Sequence, residues 1–146
     1  MYEYDVVCIG GGPGGSATAM RCADRGKKVC LIEGRARNGS GGTCVNRGCI
    51  PTKALMASAN LYASIKEAKA FGINVDMSAV SVDFKAIDKR KNAVINGLGF
   101  GLEAMLWKKS RGIDVVKGRA TLLDAHTIEV DNGKVKKTVT AENIVV

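Results

Sequence analysis

Two short apolar runs lie near the start of the chain, separated by a stretch of small residues. Tyr4–Ile9 and Val29–Glu33 are rich in β-branched residues and almost entirely apolar, which is typical of strands buried on both faces. Residues 16–25 between them favour a helix, and Gly26 follows as a predicted C-cap. The pattern predicts a βαβ unit and therefore a parallel sheet.

Helical patterns dominate the middle of the chain. Residues 52–70 contain helix formers, with an apolar face made by Leu55, Ala59, Tyr62 and Ile65. Residues 73–82 are predicted to form a loop. A second helix is predicted from about residue 84 to residue 107, capped by Ser81 or Asp83.

The apolar period changes to that of strands near residue 113. Ile113–Lys117 and Arg119–Leu122 are predicted strands, and residues 127–130 and 135–139 flank the hairpin signal Asn132-Gly133. A turn at residues 141–143 and a last buried strand at residues 144–146 are expected to follow. The expected fold class is therefore α/β, with a parallel sheet and an inserted antiparallel β-meander.

Composition narrows the possible classes of protein. The 146 residues fit one domain, and 46% apolar and 25% charged residues are ordinary for a globular chain. The formal net charge of +8 comes with interleaved acids and only 5% aromatic residues, so a solvated basic surface is favoured over nucleic-acid binding. No apolar run is long enough for a membrane span, and the start does not resemble a signal peptide. Five cysteines, an odd number, then favour a reducing compartment such as the cytoplasm.

Glycines follow the first predicted strand in the spacing G-x-G-x-x-G, at Gly10, Gly12 and Gly15. The first glycine permits a tight turn, the second lets the backbone approach a pyrophosphate, and the third lets helix and strand pack closely. Glu33 ends the next strand, where an acid can accept hydrogen bonds from a ribose. The motif predicts a dinucleotide site but does not separate NAD from FAD.

Two cysteines, Cys44 and Cys49, lie just before the predicted helix that Pro51 opens. Lys53 lies one turn after Cys49, and cations and helix N-termini lower thiol pKa values. The spacing favours a reactive dithiol, while a short structural disulfide, inert thiols or a zinc site remain alternatives. His126, the single histidine, is expected to be a solvated turn residue rather than a base.

Residues 41–53, Gly-Gly-Thr-Cys-Val-Asn-Arg-Gly-Cys-Ile-Pro-Thr-Lys, follow the glycine motif in a way that resembles the pyridine nucleotide–disulfide oxidoreductases. The resemblance covers essentially the whole chain and implies a Rossmann-like FAD-binding domain. Residues 49–55 are most similar to the branch that oxidises dihydrolipoamide, while glutathione and mercuric reductases share the cysteine spacing.

The resemblance also implies roles for individual residues. The first cysteine would exchange with the dithiol substrate, the second would contact the flavin as a thiolate, and the lysine would lie near the flavin. Contacts from residues 34–40 are left open, because that loop is longer than in many relatives. The expected catalytic residues are Cys44, Cys49 and Lys53, and the expected cofactor-binding residues are Gly10, Gly12, Gly15, Glu33, Gly42, Thr43, Lys53 and Ala120.

The implied reaction carries electrons from dihydrolipoyl groups of 2-oxo acid dehydrogenase complexes through the cysteine pair and FAD to NAD⁺. A lipoyl-bearing acyltransferase subunit or a small dithiol would be the partner, and the full-length protein would be a homodimer. Residues 1–146 would be the N-terminal part of the FAD domain, inactive without the NAD and dimerisation domains. The alternatives are glutathione or mercuric reduction, a non-catalytic dinucleotide-binding module, and a mitochondrial or plastid location.

Overall fold

A computed structural model describes residues 1–34 and 40–146 of the chain. Within these residues, six strands form one sheet in the order β3-β2-β1-β6-β5-β4, and four α-helices pack around it. The strands are β1 (Tyr4–Ile9), β2 (Val29–Glu33), β3 (Ile113–Lys117), β4 (Arg119–Leu122), β5 (Thr127–Asp131) and β6 (Lys136–Val145). The helices are α1 (Pro13–Ala23), α2 (Gly42–Arg47), α3 (Cys49–Glu67) and α4 (Phe84–Leu106).

The parallel half of the sheet confirms the predicted βαβ unit. Strand β1 pairs in parallel with β2, with Val6 opposite Val29, and β2 pairs in parallel with β3. Helix α1 connects the first two strands and begins at Pro13, whose missing N–H costs no helical hydrogen bond there. The carboxyl ends of β1 and β2 therefore lie side by side, next to the N-terminus of α1.

The antiparallel meander is also confirmed, but its connection to the parallel sheet differs from the prediction. Strand β6 is continuous: its first half pairs antiparallel with β5, and its second half pairs in parallel with β1. The turn predicted at residues 141–143 is wrong, because Ala141 and Asn143 pair with Tyr4 and Val6. Glu142 and Asn143 are exposed, so their polarity reflects a solvated surface rather than a turn.

The sheet buries apolar side chains on both faces. On one face the meander packs over β1 and β2, with Ile128 and Val139 in the same cluster as Val7 and Ile32. On the other face α1 and the end of α4 pack over the parallel strands, in a cluster that includes Leu31, Ala19 and Leu106. The predicted α/β class is confirmed: side chains of the meander cover one face of the parallel strands, and helices cover the other.

Helix α3 packs against α4, whose end alone reaches this core. Helix α4 runs without interruption through its three glycines, and Asp83 caps it by accepting a hydrogen bond from the Ala86 N–H at 3.0 Å, as predicted. Helix α3 begins at Cys49, so Pro51 lies in its first turn as predicted, and the helix ends in a 3-10 turn at Ala68–Phe71. Within the described ranges, no helix is long and apolar enough to cross a membrane.

Candidate functional site

The glycine turn joins the end of β1 to the start of α1. Gly10 has a φ of 99°, which L side chains rarely adopt, and its N–H donates to the Ile32 carbonyl oxygen at 2.8 Å. A side chain at Gly15 would overlap the Gly10 carbonyl oxygen, so this position holds the helix close to the turn. The start of α1 has no side-chain cap, and an uncapped helix N-terminus is the kind of place where an anion such as a pyrophosphate can bind.

Glu33 ends β2 beside this turn. Its Oε2 accepts a hydrogen bond from the Gly11 N–H at 2.8 Å, and a side chain at Gly11 would overlap that carboxylate. The acid is therefore held at the carboxyl edge of the sheet, one strand away from the glycine turn. This is the place that the sequence predicted for a ribose-binding acid.

A second pair of glycines packs directly against the first turn. The Gly41 N–H donates to the Gly11 carbonyl oxygen at 2.8 Å, and Gly42 approaches Gly12 so closely that an added Cβ would lie 2.7 Å from the Gly12 Cα. Ser40, only 2% exposed, is buried beneath this contact. The sequence pointed to Gly42 but not to Gly11, Ser40 or Gly41, because nothing local signals a contact between segments about 30 residues apart. Of residues 34–40, whose contacts were left open, residues 35–39 lie outside the described part of the chain.

The two cysteines lie on consecutive helices. Cys44 is in α2 and is half-buried, whereas Cys49 is the first residue of α3 and is exposed. Gly48 forms the junction, and an added Cβ there would lie 3.3 Å from the Thr43 carbonyl oxygen. This junction places the two side chains close enough for Cys49 to shift the pKa of Cys44, and both thiols are free. No group of three or more His, Cys, Asp or Glu side chains within residues 1–34 and 40–146 could hold a metal ion.

The electrostatics of the pair differ from the prediction of two activated thiols. The pKa of the Cys44 thiol is raised, chiefly because its side chain hydrogen-bonds to Cys49. The Cys49 backbone N–H also donates to the Cys44 sulfur and lowers this pKa, but it does not offset the first effect. The expectation of a lowered pKa is therefore wrong for Cys44, because the effect of the neighbouring Cys49 side chain exceeds that of the backbone N–H.

Asn46, between the cysteines, was not identified as a site residue from the sequence. Its Nδ2 donates to the Gly42 carbonyl oxygen at 2.9 Å, one helical turn back, which fixes the amide on α2. Its Oδ1 is buried and has no hydrogen-bond partner within the described residues. An unpaired buried acceptor is costly, so this atom marks a place where a donor is missing.

The remaining predicted site residues flank this arrangement. Lys53 is exposed on α3, one turn after Cys49, and Thr43 is exposed on α2. Ala120 lies on β4 opposite Val130, shortly after Gly118, whose N–H donates to the Glu33 carbonyl oxygen at 3.1 Å. The structure therefore places the glycine turn, Glu33 and the start of the meander along one edge of the sheet.

His126 lies in the turn between β4 and β5, as predicted, but it is not simply solvated. Its ring stacks on Tyr2, with 4.7 Å between centroids, and its Nδ1 lies 3.0 Å from the Ala141 carbonyl oxygen. The side chain is half-buried by these contacts. The histidine therefore ties the start of the chain to the meander, which the sequence did not indicate.

Comparison with known proteins places this arrangement among flavin and disulfide enzymes. The family described as "Pyridine nucleotide-disulphide oxidoreductase" matches residues 4–146. The chain is 43% identical over 128 residues to a dihydrolipoyl dehydrogenase of Chlamydia pneumoniae, covering 88% of this chain and 26% of that protein. It is 43% identical over 131 residues to a dihydrolipoyl dehydrogenase of Bacillus subtilis (strain 168), covering 88% of this chain and 28% of that protein.

A solved structure shares the fold. The Cu(II) complex of RclA, an HOCl-induced flavoprotein disulfide reductase from Escherichia coli, has a TM-score of 0.75 and 30% identity to this chain. That match covers 99% of this chain and 28% of the RclA chain. The chain thus spans between a quarter and a third of the length of each of these three proteins.

Proposed function

Because the chain belongs to the pyridine nucleotide-disulphide oxidoreductase family, we propose that residues 1–146 are the N-terminal part of the FAD-binding domain of a dihydrolipoyl dehydrogenase. In this proposal a dihydrolipoyl group gives two electrons to the Cys44–Cys49 disulfide, FAD receives them, and NAD⁺ is the final acceptor. A lipoyl-bearing subunit of a 2-oxo acid dehydrogenase complex, or a small dithiol, is the electron donor. The complete protein acts as a homodimer.

The residues at the edge of the sheet fit an FAD molecule. The contact between Gly12 and Gly42 leaves no room for side chains, so backbone N–H groups and the N-terminus of α1 can approach a pyrophosphate directly. Glu33 lies on the side where the adenosine ribose would bind, and Ala120 near the start of β4 would meet the adenine. When bound, FAD supplies a two-electron acceptor for the dithiol and a hydride donor for NAD⁺.

The cysteine pair carries out thiol–disulfide exchange. A thiolate of the dihydrolipoyl group attacks the Cys44 sulfur of the disulfide, which forms a mixed disulfide and releases Cys49 as a thiolate. The second lipoyl thiol then displaces Cys44, so the lipoyl group leaves oxidised and the pair is left reduced by two electrons. The hydrogen bond between the thiols keeps the remaining proton on Cys44, and Cys49, the more exposed of the two, is the one that a flat ring can cover.

The contact between the two thiols is the observation that carries this proposal. Residues four apart in a single regular helix would point their side chains along one face, and a pair five apart would diverge. Here the break at Gly48 between α2 and α3 turns Cys44 and Cys49 toward each other. A structural staple across so short a loop adds only about 2 kcal/mol, which favours a pair that opens and closes.

Anaerobic titration of the FAD-loaded protein with dihydrolipoamide tests the proposal. The unsubstituted protein should consume one dithiol per pair and develop a long-wavelength absorption band from a thiolate next to the flavin. Cys44→Ser should still bind FAD but should lose exchange with dihydrolipoamide. Cys22→Ser, which changes a half-buried cysteine outside the pair, is the matched control and should behave like the unsubstituted protein.

Reduction of Cys44→Ser by dihydrolipoamide at the normal rate would contradict the assigned role of that cysteine. Titration with glutathione in a parallel series separates the substrates, because a glutathione reductase would equilibrate with glutathione as readily as with the dithiol. A protein that binds FAD but exchanges with neither thiol would instead be a non-catalytic dinucleotide-binding module.

A further inference from the structure

Helix α3 carries Cys49 and Lys53 but contributes little to the core of the domain. Its principal contacts are with α2 and α4, and of its residues Ala54 alone is buried, at 7% exposure. Helix α2, which carries Cys44, also contacts α4. Helix α4 in turn ends at Leu106, which is fully buried in the cluster over the parallel strands. Helix α4 is therefore the platform on which both cysteine-bearing helices lie.

A side chain of α4 reaches across to the buried residue of α3. Arg90 Nη1 donates a hydrogen bond to the Ala54 carbonyl oxygen at 3.1 Å, although the two residues lie 36 positions apart in the chain. A carbonyl oxygen has two lone pairs, so it can accept this bond and keep its helical hydrogen bond. Ala54 directly follows Lys53, and Cys49 lies little more than one turn before it. The bond therefore joins α4 to the first turns of α3.

The charged neighbours of Arg90 on α4 bind one another instead of α3. Lys91 pairs with Asp88, and Asn92 also donates to Asp88. Within residues 1–34 and 40–146, no salt bridge involves Arg90. Its guanidinium is thus directed to the backbone of α3 and is not shared with a carboxylate of its own helix.

We propose that Arg90 is a positioning residue for the cysteine pair: its hydrogen bond to Ala54 fastens the first turns of α3 to α4 and limits the movement of Cys49 relative to Cys44. The inference rests on the proposed function, since it requires the pair to cycle between dithiol and disulfide. Two thiols that are already held together lose less freedom when the disulfide closes. Arg90 therefore stabilises the disulfide relative to the dithiol and lowers the reduction potential of the pair.

Redox equilibration of the protein with mixtures of reduced and oxidised dithiothreitol measures this effect without FAD. Reduced dithiothreitol loses two electrons and two protons to become its cyclic disulfide, and the protein disulfide gains them as two thiols. Arg90→Met keeps an apolar stem but removes the donors, and should shift the equilibrium toward the dithiol by about threefold, which corresponds to a potential about 14 mV higher. Lys89→Met, at the exposed neighbouring residue of α4, removes the same charge and should leave the potential unchanged.

Two further measurements separate position from charge and from general stability. Arg90→Lys keeps a donor on a long stem, so its potential should lie between those of Arg90→Met and the unsubstituted protein. Equilibration at pH 6 and at pH 8 should give the same shift for Arg90→Met. A guanidinium that acted through its charge would favour a thiolate, and its effect would disappear at pH 6, where thiols keep their protons.

Equal potentials for Arg90→Met and Lys89→Met would overturn the inference, even if urea unfolding showed Arg90→Met to be less stable, because the role of Arg90 would then be structural only. A shift confined to pH 8 would overturn it as well, as would an Arg90→Lys potential no closer to that of the unsubstituted protein. A protein in which the pair forms no disulfide at all would overturn the proposed function instead.

Discussion

The contact between Gly42 and Gly12 gives the sharpest test of how the structure builds its cofactor site. Gly42 has a φ of 57°, and an added Cβ would lie 2.7 Å from the Gly12 Cα and 3.3 Å from the Gly12 nitrogen. Both neighbours are backbone atoms, so neither can move away by changing a rotamer. Gly42→Ala should therefore be destabilising for two separate reasons, a strained φ and an overpacked contact.

The two terms can be estimated separately. An L side chain in the left-handed region costs about 1 kcal/mol or slightly more. Overpacking a tight contact typically costs about 1–3 kcal/mol, and a backbone-to-backbone contact belongs to the upper part of that range. The free energy of unfolding should therefore fall by about 2–4 kcal/mol, which lowers the midpoint of thermal unfolding by about 5–15 °C for a chain of this size.

Urea unfolding followed by circular dichroism measures the change, and two other glycines serve as matched controls. Gly72 has a φ of 78° with nothing within 4 Å, so Gly72→Ala carries the strain without the contact. Gly97 lies inside α4 with open space around it, so Gly97→Ala should raise stability by up to about 1 kcal/mol. The difference between Gly42→Ala and Gly72→Ala isolates the glycine–glycine contact.

Equal losses for Gly42→Ala and Gly72→Ala would refute the reasoning, because the contact with Gly12 would then contribute nothing. A second readout connects stability with function. Since the substitution pushes the two glycine loops apart, FAD binding should weaken in Gly42→Ala and should be unchanged in Gly72→Ala. Unchanged FAD binding by Gly42→Ala would separate the contact from the cofactor site.

Two further predictions concern stability. Burial raises the pKa of the fully buried Cys30 thiol from 9.0 to about 12. The thiol of the unfolded chain therefore ionises at a lower pH than the thiol of the folded chain. Between pH 9 and pH 12 the free energy of unfolding should fall by about 1.4 kcal/mol per pH unit. In urea unfolding measured at several pH values, the free energy of unfolding of Cys30→Ala should fall less steeply with alkaline pH, whatever its value at neutral pH. An unchanged dependence on pH would exclude this thiol as the cause. Asp83→Ala should lower the free energy of unfolding by about 1 kcal/mol, because α4 loses its N-cap. Asp76 caps only a three-residue turn, so Asp76→Ala should lower it by less. A larger loss for Asp76→Ala than for Asp83→Ala would contradict the assignment of the N-cap.

Features that depend on residues close together in the chain were predicted correctly, and features that depend on distant residues were not. The βαβ unit, the hairpin at Asn132-Gly133 and the Asp83 cap were all predicted correctly, because each depends on residues close together in the chain. The end of the meander was predicted incorrectly, because Glu142 looks like a turn residue until β1 is placed beside it. Pairing with a distant strand overrode the local preference.

For the candidate site, local patterns were enough to select the residues proposed to carry the chemistry. The glycine spacing, Glu33 at the end of a strand and the cysteine pair beside a helix start each lie where they were expected. How these groups meet became visible only in the folded chain: Gly42 lies on Gly12, and the break at Gly48 turns one thiol onto the other. The pKa of a thiol, and whether an amide oxygen finds a hydrogen-bond partner, depend on the atoms that surround the group. In this site the way α2 and α3 meet at Gly48 decides which atoms those are, and the order of residues alone does not.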